Sequence, residues 1–484
     1  MAQGGGLISN LFWKFAERIT AQLVTTVVTI ILARILEPSH YGIISIVTIF
    51  ISIANVFVSD GLGSALIQKK DADALDFTSV LYFNVLLSVV LYCVLFLVAP
   101  IITSFYGNGY EILTPVLRVL SFRLILSAIN SVQQAYISKK MIFKKFFWAT
   151  LLGTVLSAVV GIVLALKGFG VWALVAQYLT NTTVDTIVLG LSLQKKPLLQ
   201  FSWKRVKDLV GYGSRILGTN LLITGYQELR ALIIGKVYSS SDLAYYDQGR
   251  KYPNLIVANI NTSIGAVLFP KLSNEQDDIK KIKATTRNSI RFSAFIMCPM
   301  MLGLAVVAEP FVKLVLTDKW LPCVPLLQMF CIIYLFQPIH TANMQAIKAM
   351  GRSDVYLKLE IIKKIIELVV LIFTMFISVN AIAIGMAIMT TAFTFINAYP
   401  NIRLLNYGFK EQMIDIAPTI IKSLGMAIIV YLVGKLNLEP FPLLCIQVIT
   451  GIIIYVGLCR LTNCYELSYV LLSIKQHLQH IRGN

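Results

Sequence analysis

Charge is scarce in this chain, and the motifs that mark many enzymes are missing. Only 14% of its 484 residues are charged, against about 25% in a soluble domain. There is no Walker A sequence, no HExxH and no large hydrophilic region to hold catalytic side chains. These absences argue against ATP-driven transport by this chain alone and against membrane-embedded transferase chemistry; the expected protein is not an enzyme. The seven cysteines show no CxxC spacing, so neither a disulfide frame nor a metal site is expected. They read as small apolar fillers. No cleaved signal peptide is expected either: the chain begins MAQGGG, and its first apolar run is too long for a signal h-region.

What the chain does have is apolar sequence, 57% of its residues. A membrane helix needs about 20 apolar residues, and a helix satisfies its own backbone hydrogen bonds in lipid. Fourteen candidate spans follow, at 11–35, 41–60, 79–104, 112–137, 146–166, 171–193, 209–235, 243–269, 288–315, 322–347, 356–378, 381–400, 414–434 and 441–460. The charges then set a topology. Lys69, Lys70, Lys139, Lys140, Lys144, Lys145, Lys195, Lys196, Lys204, Arg205 and Lys207 fall in or beside loops after even-numbered spans. So do Lys271, Lys280, Lys281, Lys283, Arg287, Lys348, Arg352, Lys358, Arg403 and Lys410. The opposite loops hold only Lys167, Lys236, Lys319 and Lys435. Because cytoplasmic loops carry excess Lys and Arg, both termini are expected in the cytoplasm. Topology thus explains much of the net charge of +18 without any nucleic-acid partner.

The chain also repeats itself. Pro100 and Pro115 recur as Pro310 and Pro325, each pair 210 positions apart. The segment 32–42 (LARILEPSHYG) resembles 234–244 (IGKVYSSSDLA). The expected architecture is an all-α integral membrane protein with two six-helix lobes in parallel repeat and two further C-terminal helices. Its divisions are 10–198, 206–403 and 411–463, followed by a cytoplasmic tail at 464–484. Six is even, so both lobes keep one orientation, with a site expected between them near the midplane.

Charged groups inside membrane spans are rare and usually face a bundle interior or water. Span 1 carries Lys14, Arg18 and Gln22 on one face; Lys14 reads as interfacial, and Arg18 as a candidate cavity residue. Span 4 carries Arg123, Ser127, Asn130 and Gln134 at spacings of 4, 3 and 4. Span 10 carries Gln337, His340, Thr341 and Asn343. These stripes suit either an aqueous interior or hydrogen bonds between helices. In span 7, Glu228 and Arg230 are two apart and point to nearly opposite sides, so each needs another partner or water. Span 8 opens YYDQGRKYPN, with Asp247 and Arg250; its tyrosines suit an interfacial belt or sugar stacking. Span 11 pairs Glu360 with Lys364 and Lys363 with Glu367 at i,i+4, an interfacial turn or a gate. Arg18, Arg123, Arg230 and Arg250 outnumber Glu228 and Asp247, so the interior favours an anion. The guanidinium fork matches phosphate oxygens.

The same residues resemble a known family. VLFPKLSNEQDD (267–278), GLAVVAEPFVKLVLTDKWLPCVPLL (303–327) and AIKAMGRSDV (346–355) are similar to the bacterial polysaccharide flippases. So are LARILEPSHYGIISIV (32–47), GLGSALIQKKD (61–71) and the run 137–177. The closer likeness is to the lipopolysaccharide, colanic acid and teichuronic acid exporter branch of the multidrug, oligosaccharidyl-lipid and polysaccharide exporters. The resemblance spans roughly residues 10–400. It implies a two-lobed, V-shaped bundle that works by alternating access in the bacterial inner membrane. It implies an undecaprenyl-diphosphate-linked oligosaccharide as substrate, carried from the cytoplasmic to the outer leaflet. Spans 1, 2, 7 and 8 would line the cavity, offering Arg18, Glu228, Arg230 and Arg250, and the last two spans would hold the lipid tail. Arg18, Arg230, Arg250 and Arg123 are the expected diphosphate ligands, and Glu228 and Asp247 the expected sites for ion coupling or gating. Gln22, Asn130, Gln134, Gln337, His340 and Asn343 are the expected polar lining. No cofactor is expected beyond a coupling H+ or Na+. The partners are the lipid-linked oligosaccharide, membrane lipids and polysaccharide polymerase machinery. The alternatives are a flippase for the peptidoglycan lipid precursor, a drug exporter, and a membrane glycan polymerase or ligase. The last would need a long outer loop, and the longest here is near Thr103–Glu111.

Overall fold

The computed structural model describes residues 7–59, 61–193, 198–275, 278–469 and 471–472. Lys195, Lys196 and the tail from 473 onward lie outside the described residues. Among the described residues all regular structure is helical. In order the helices are α1 (Leu7–Ile35), α2 (Pro38–Ser59), α3 (Gly61–Gln68), α4 (Ala74–Tyr106), α5 (Leu113–Leu120), α6 (Arg123–Lys140), α7 (Phe143–Leu166), α8 (Val171–Leu193) and α9 (Trp203–Val237). There follow α10 (Ser240–Asn274), α11 (Ile279–Val306), α12 (Ala308–Val315), a short 3-10 helix (Asp318–Cys323), α13 (Val324–Leu335) and α14 (Gln337–Ala349). The last are α15 (Ser353–Thr374), α16 (Val379–Leu405), α17 (Phe409–Val433) and α18 (Pro440–Leu461).

Ten stretches of the described residues are long and apolar enough to cross a membrane. Their large side chains are often bare, as at Leu97 (72% exposed) and Ile101 (67%), which suits contact with lipid rather than water. The expected spans at 171–193, 209–235, 243–269 and 356–378 are helical too, within α8, α9, α10 and α15, but fall short in apolarity. Their own residues explain this. Asn181 and Asp185 sit in α8, Glu228 and Arg230 in α9, Asp247, Arg250 and Lys251 in α10, and five charged residues in the first four turns of α15. Helices α9 and α10 have 35 residues each. At about 1.5 Å per residue they exceed a ~30 Å hydrocarbon core, so their polar ends can stand outside it.

Both stripe-bearing spans are broken. Span 4 divides at Ser121–Phe122, where the amides of Leu124 and Ile125 bond the carbonyls of Ser121 and Phe122, three residues back, the tighter 3-10 pattern. Span 10 divides at Phe336, just before Pro338, whose ring supplies no N–H and fits only the first turn of a new helix. In α15 the ion pairs form at i,i+3 rather than i,i+4: Lys363 with Glu360, and Lys364 with Glu367 at 3.1 Å.

The chain divides into two compact units, Met1–Ala244 and Tyr245–Asn484. In the first, α9 packs on α2, α3 and α4, burying Leu62, Leu66, Val80, Val132 and Val206 together. A polar fastening completes the contact. Asp73 caps α4 and exchanges hydrogen bonds with Asp76 in a capping box. Asp76 is fully buried and takes ion pairs from Lys69 (2.8 Å) and Arg205 (3.5 Å). Arg205 also reaches Asp73 at 3.0 Å. The Asp76 amide, and then Arg205 and Lys69, hold the Asp73 carboxyl below its ordinary range. Leu198 and Ser202, leading into α9, bond Thr78 and Ser79 of α4.

In the second unit α17 and α18 pack with α11 and α12. Lys283, Arg287 and Arg291, one turn apart on α11, pair with Glu411, Asp415 and Glu466 respectively at 2.8, 2.5 and 2.7 Å. Deeper, Asn343 of α14 bonds Gln412 of α17 and accepts from Asn401 of α16; all three are fully buried. Amides that bond one another satisfy groups that would otherwise be orphaned in an apolar medium.

Asp76→Asn keeps the side-chain shape and removes the buried charge facing two cations. Breaking a buried pair costs roughly 3–5 kcal/mol; partial exposure of Lys69 and Arg205 places this one at the lower end. The expected outcome is a clear fall in the thermal midpoint of the detergent-solubilised protein, followed by intrinsic fluorescence. An unchanged midpoint contradicts the fastening.

Candidate functional site

The first unit holds a half-open polar cavity of about 530 Å³. Its walls come from six helices. α6 supplies Arg123, Ser127, Asn130 and Gln134, and α8 supplies Asn181, Thr182 and Asp185. Glu17 of α1, Asn55 and Ser59 of α2, Ser64 of α3 and Phe146 and Thr150 of α7 complete much of the lining. The 4, 3, 4 spacing on α6 keeps its four residues on one stripe, and all four line this cavity. Gly153 lets α7 and α8 close on each other there: a Cβ on it would lie 3.1 Å from the Asn181 carbonyl.

The charges inside are not equivalent. Arg123 donates from Nε to Thr182 (2.9 Å) and lies over the Tyr178 ring. Glu17 accepts from Lys14 at 3.0 Å, one turn back along α1, and Lys14 itself rests over Phe146. Asp185 accepts at Oδ2 from Asn130 (3.0 Å), and Asn130 in turn accepts from Gln134. Its Oδ1 is shielded and has no partner, as is Thr150 Oγ1. No cation among the described residues pairs with Asp185. A shielded carboxylate without a counter-ion is costly in a low dielectric, so this oxygen is a ready place for a proton, a small cation or a donor group of a ligand.

The other expected residues are placed as follows. Arg18 is exposed on α1 and Gln22 is half-buried a turn further along. On α9, Arg230 donates to the Tyr226 hydroxyl at 3.3 Å and lies over the same ring, while Glu228 is half-buried. In the second unit, Arg250 pairs with Asp247 at 3.5 Å on α10. Gln337 is half-buried at the head of α14. His340 and Asn343 are buried and bonded, His340 to Asn397 and Asn343 to Asn401 and Gln412. Their bonds stay within the second unit. The structure therefore gathers Arg123, Asn130 and Gln134 in one cavity, and sets His340 and Asn343 in a separate buried network.

Sequence reasoning passed over Glu17, Asn181 and Asp185. The signals were present. Glu17 stands three residues from Lys14, the spacing of a helical ion pair. Asn181, Thr182 and Asp185 fall within one helical turn of an otherwise apolar span, where any ionisable residue is a functional candidate.

Residues 31–325 match the family described as polysaccharide biosynthesis protein. Among individual relatives, the lipopolysaccharide biosynthesis protein WzxC of Escherichia coli (strain K12) is 24% identical over 341 residues, 69% of this chain and 68% of that protein. The teichuronic acid biosynthesis protein TuaB of Bacillus subtilis (strain 168) is 24% identical over 306 residues, 62% of each. Among solved structures, the lipid II flippase MurJ in an inward closed conformation superposes with a TM-score of 0.73 at 15% identity, over 94% of this chain and 98% of that one. That likeness shows the fold, and the ten apolar stretches fit a multi-pass membrane protein. Because the family match takes in more than half of the residues, this chain belongs to the polysaccharide biosynthesis protein family.

Proposed function

We propose that this protein is a flippase that carries undecaprenyl-diphosphate-linked oligosaccharide units from the cytoplasmic to the outer leaflet of a bacterial inner membrane, by alternating access, for polysaccharide export. The observation that carries the reading is the polar cavity of the first unit, walled by helices whose outer faces are apolar, in a chain of this family. A pocket lined by two carboxylates, a guanidinium and four amides suits sugar hydroxyls, which both donate and accept hydrogen bonds. Arg18, Arg230, Arg250 and Arg123 would hold the diphosphate, which the guanidinium fork matches. Transport without catalysis is the reading, with polysaccharide polymerase machinery downstream.

Helices α8, α9, α10 and α15 would cross the membrane along with the ten apolar stretches, making fourteen spans with both termini cytoplasmic. A repeat of the first six spans by the next six is supported by the two polar fastenings. Arg205 and Asp415 are 210 positions apart, as are Asp73 and Lys283. The two fastenings thus link corresponding helices, α4 with α9 and α11 with α17, although Asp73 pairs with Arg205 directly whereas Lys283 pairs with Glu411 and Asp415 with Arg287. The ion that biases the cycle would be H+ or Na+. Glu228 and Asp247 remain proposed sites for it, and the unpartnered Oδ1 adds Asp185 as the better-placed one. Whatever the ion, it must bind the two transport states unequally.

Deletion of the gene is expected to accumulate lipid-linked repeat units at the cytoplasmic face, seen by mass spectrometry of extracted lipids. The wild-type gene restores export and the charge reversals Arg18→Glu with Arg250→Glu do not. Accumulation of the peptidoglycan precursor instead would assign the chain to that substrate, and no accumulation would contradict the reading.

For coupling, flipping of a labelled lipid-linked oligosaccharide in proteoliposomes is expected to accelerate under an imposed H+ or Na+ gradient. Asp185→Asn should lose the acceleration, read as the ratio of rates with and without the gradient, since an amide neither releases a proton nor offers a charged ligand. A variant that still responds to the gradient removes Asp185 from this role.

A further inference from the structure

The second unit holds another cleft, of about 690 Å³, that the transport reading does not use. One wall is α10, from Asn259 through Ile260, Ile264 and Leu268 to Lys271; the other is α11, from Thr285 through Asn288 to Phe292 and Ile296. The segment after α18 closes the side with Tyr465 and Tyr469, whose rings pack on Phe292 at 6.2 and 5.1 Å between centroids. Arg291 ties that segment down, bonding Glu466 at 2.7 Å and lying over Tyr465.

The cleft has two chemically different ends. Helices α10 and α11 are consecutive, so Lys271, Thr285 and Asn288 lie toward the ends that the chain joins. Ile260, Ile264 and Ile296 lie at the far end with the Asn259 amide beside them, and Ser289 and Ser293 line the cleft between. From Lys271 to Ile260, and again from Thr285 to Ile296, is eleven residues, about 16 Å of helix. That is close to half of a ~30 Å hydrocarbon core, or one leaflet. The neighbouring basic residues of α11, Lys283, Arg287 and Arg291, do not line the cleft and all hold carboxylates. Lys271 is exposed and pairs with no anion among the described residues; Glu275, one turn further on, instead accepts from Thr285 at 2.7 Å.

We propose that this cleft binds one anionic phospholipid of the cytoplasmic leaflet, with its phosphate at Lys271 and Asn288 and an acyl chain along Ile264, Phe292 and Ile296 toward Ile260. The inference takes only the membrane orientation from the proposed function and none of its transport chemistry. A basic residue at the polar mouth of an apolar, one-leaflet-deep cleft matches a single anionic head with a chain attached. The tyrosines stand where amphipathic rings commonly sit, between headgroup and chain.

The test is native mass spectrometry of the purified full-length protein in a neutral detergent, titrated with phosphatidylglycerol, phosphatidylcholine or undecaprenyl phosphate. One retained phosphatidylglycerol is expected, held more tightly than phosphatidylcholine. Lys271→Gln should weaken phosphatidylglycerol about fivefold, the scale of one lysine near an anionic surface, and leave phosphatidylcholine unchanged. Ser289→Trp, which fills the cleft, should abolish retention of both while the thermal midpoint stays within the wild-type range. Equal retention of the two phospholipids, insensitivity to Lys271→Gln, or preferential retention of undecaprenyl phosphate would each overturn the assignment. Because lipid retention is read without any flipping, its failure leaves the proposed function standing, and failure of export leaves the lipid site standing.

Discussion

A polar group inside a membrane helix must find its partner within the protein. Most of what is distinctive here follows from how the two units meet that constraint. In the second unit much of the demand is met between helices: Asn343 bonds both Asn401 and Gln412, and His340 bonds Asn397, while His340 Nε2, Asn397 Oδ1 and Asn401 Oδ1 stay buried without a partner. In the first unit the open end is a carboxylate. Asn130 and Gln134 form a chain that ends on Asp185, and the second oxygen of that carboxylate has nothing to bond. A cavity surrounds the open end. What sets the first unit apart is that its unpartnered group is a carboxylate and stands beside a polar cavity.

The same contrast governs the charged residues nearer the helix ends. Asp76 with Lys69 and Arg205 in the first unit, and Lys283 and Arg287 with Glu411 and Asp415 in the second, fasten long helices where they enter and leave their units. Asp76 and Asp415 are buried and only their cations are partly exposed, so breaking these pairs costs more than their net contribution to stability. Their greater effect is on position: they set where α9 and α17 begin, and hence which residues of those helices reach the interior. Lys271 takes part in no such pair among the described residues, which leaves a cation at one end of a largely apolar cleft.

Much of the fold was legible beforehand because a membrane helix is announced by its own apolar length. The helices that escape a hydropathy measure, α8, α9, α10 and α15, do so because of residues such as Asp185, Glu228 and Lys251, and those residues are the chemically interesting ones. The stripe on α6 could be seen from its spacing alone. Its counterpart on span 10 looked the same, yet His340 and Asn343 meet Asn397, Asn401 and Gln412 on α16 and α17. No spacing within one helix reports what another helix will present to it. Asp185 was visible as an ionisable residue in an apolar span, but what its carboxylate meets depends on Asn130, 55 residues earlier. The break in span 10 could be anticipated from Pro338, whereas that in span 4 has no proline and no other mark in the sequence.

The account stands or falls on whether the cavity of the first unit is wet and reached by substrate. In a background with the seven native cysteines replaced, single cysteines at Ser127 and Ser131 should react with a membrane-impermeant, water-borne maleimide in intact membranes, and a cysteine at Leu97 should not. Added lipid-linked oligosaccharide should slow the reaction at Ser127 and Ser131. If these two positions are as inert as Leu97, or react at a rate the substrate does not change, the cavity is not the path of the glycan.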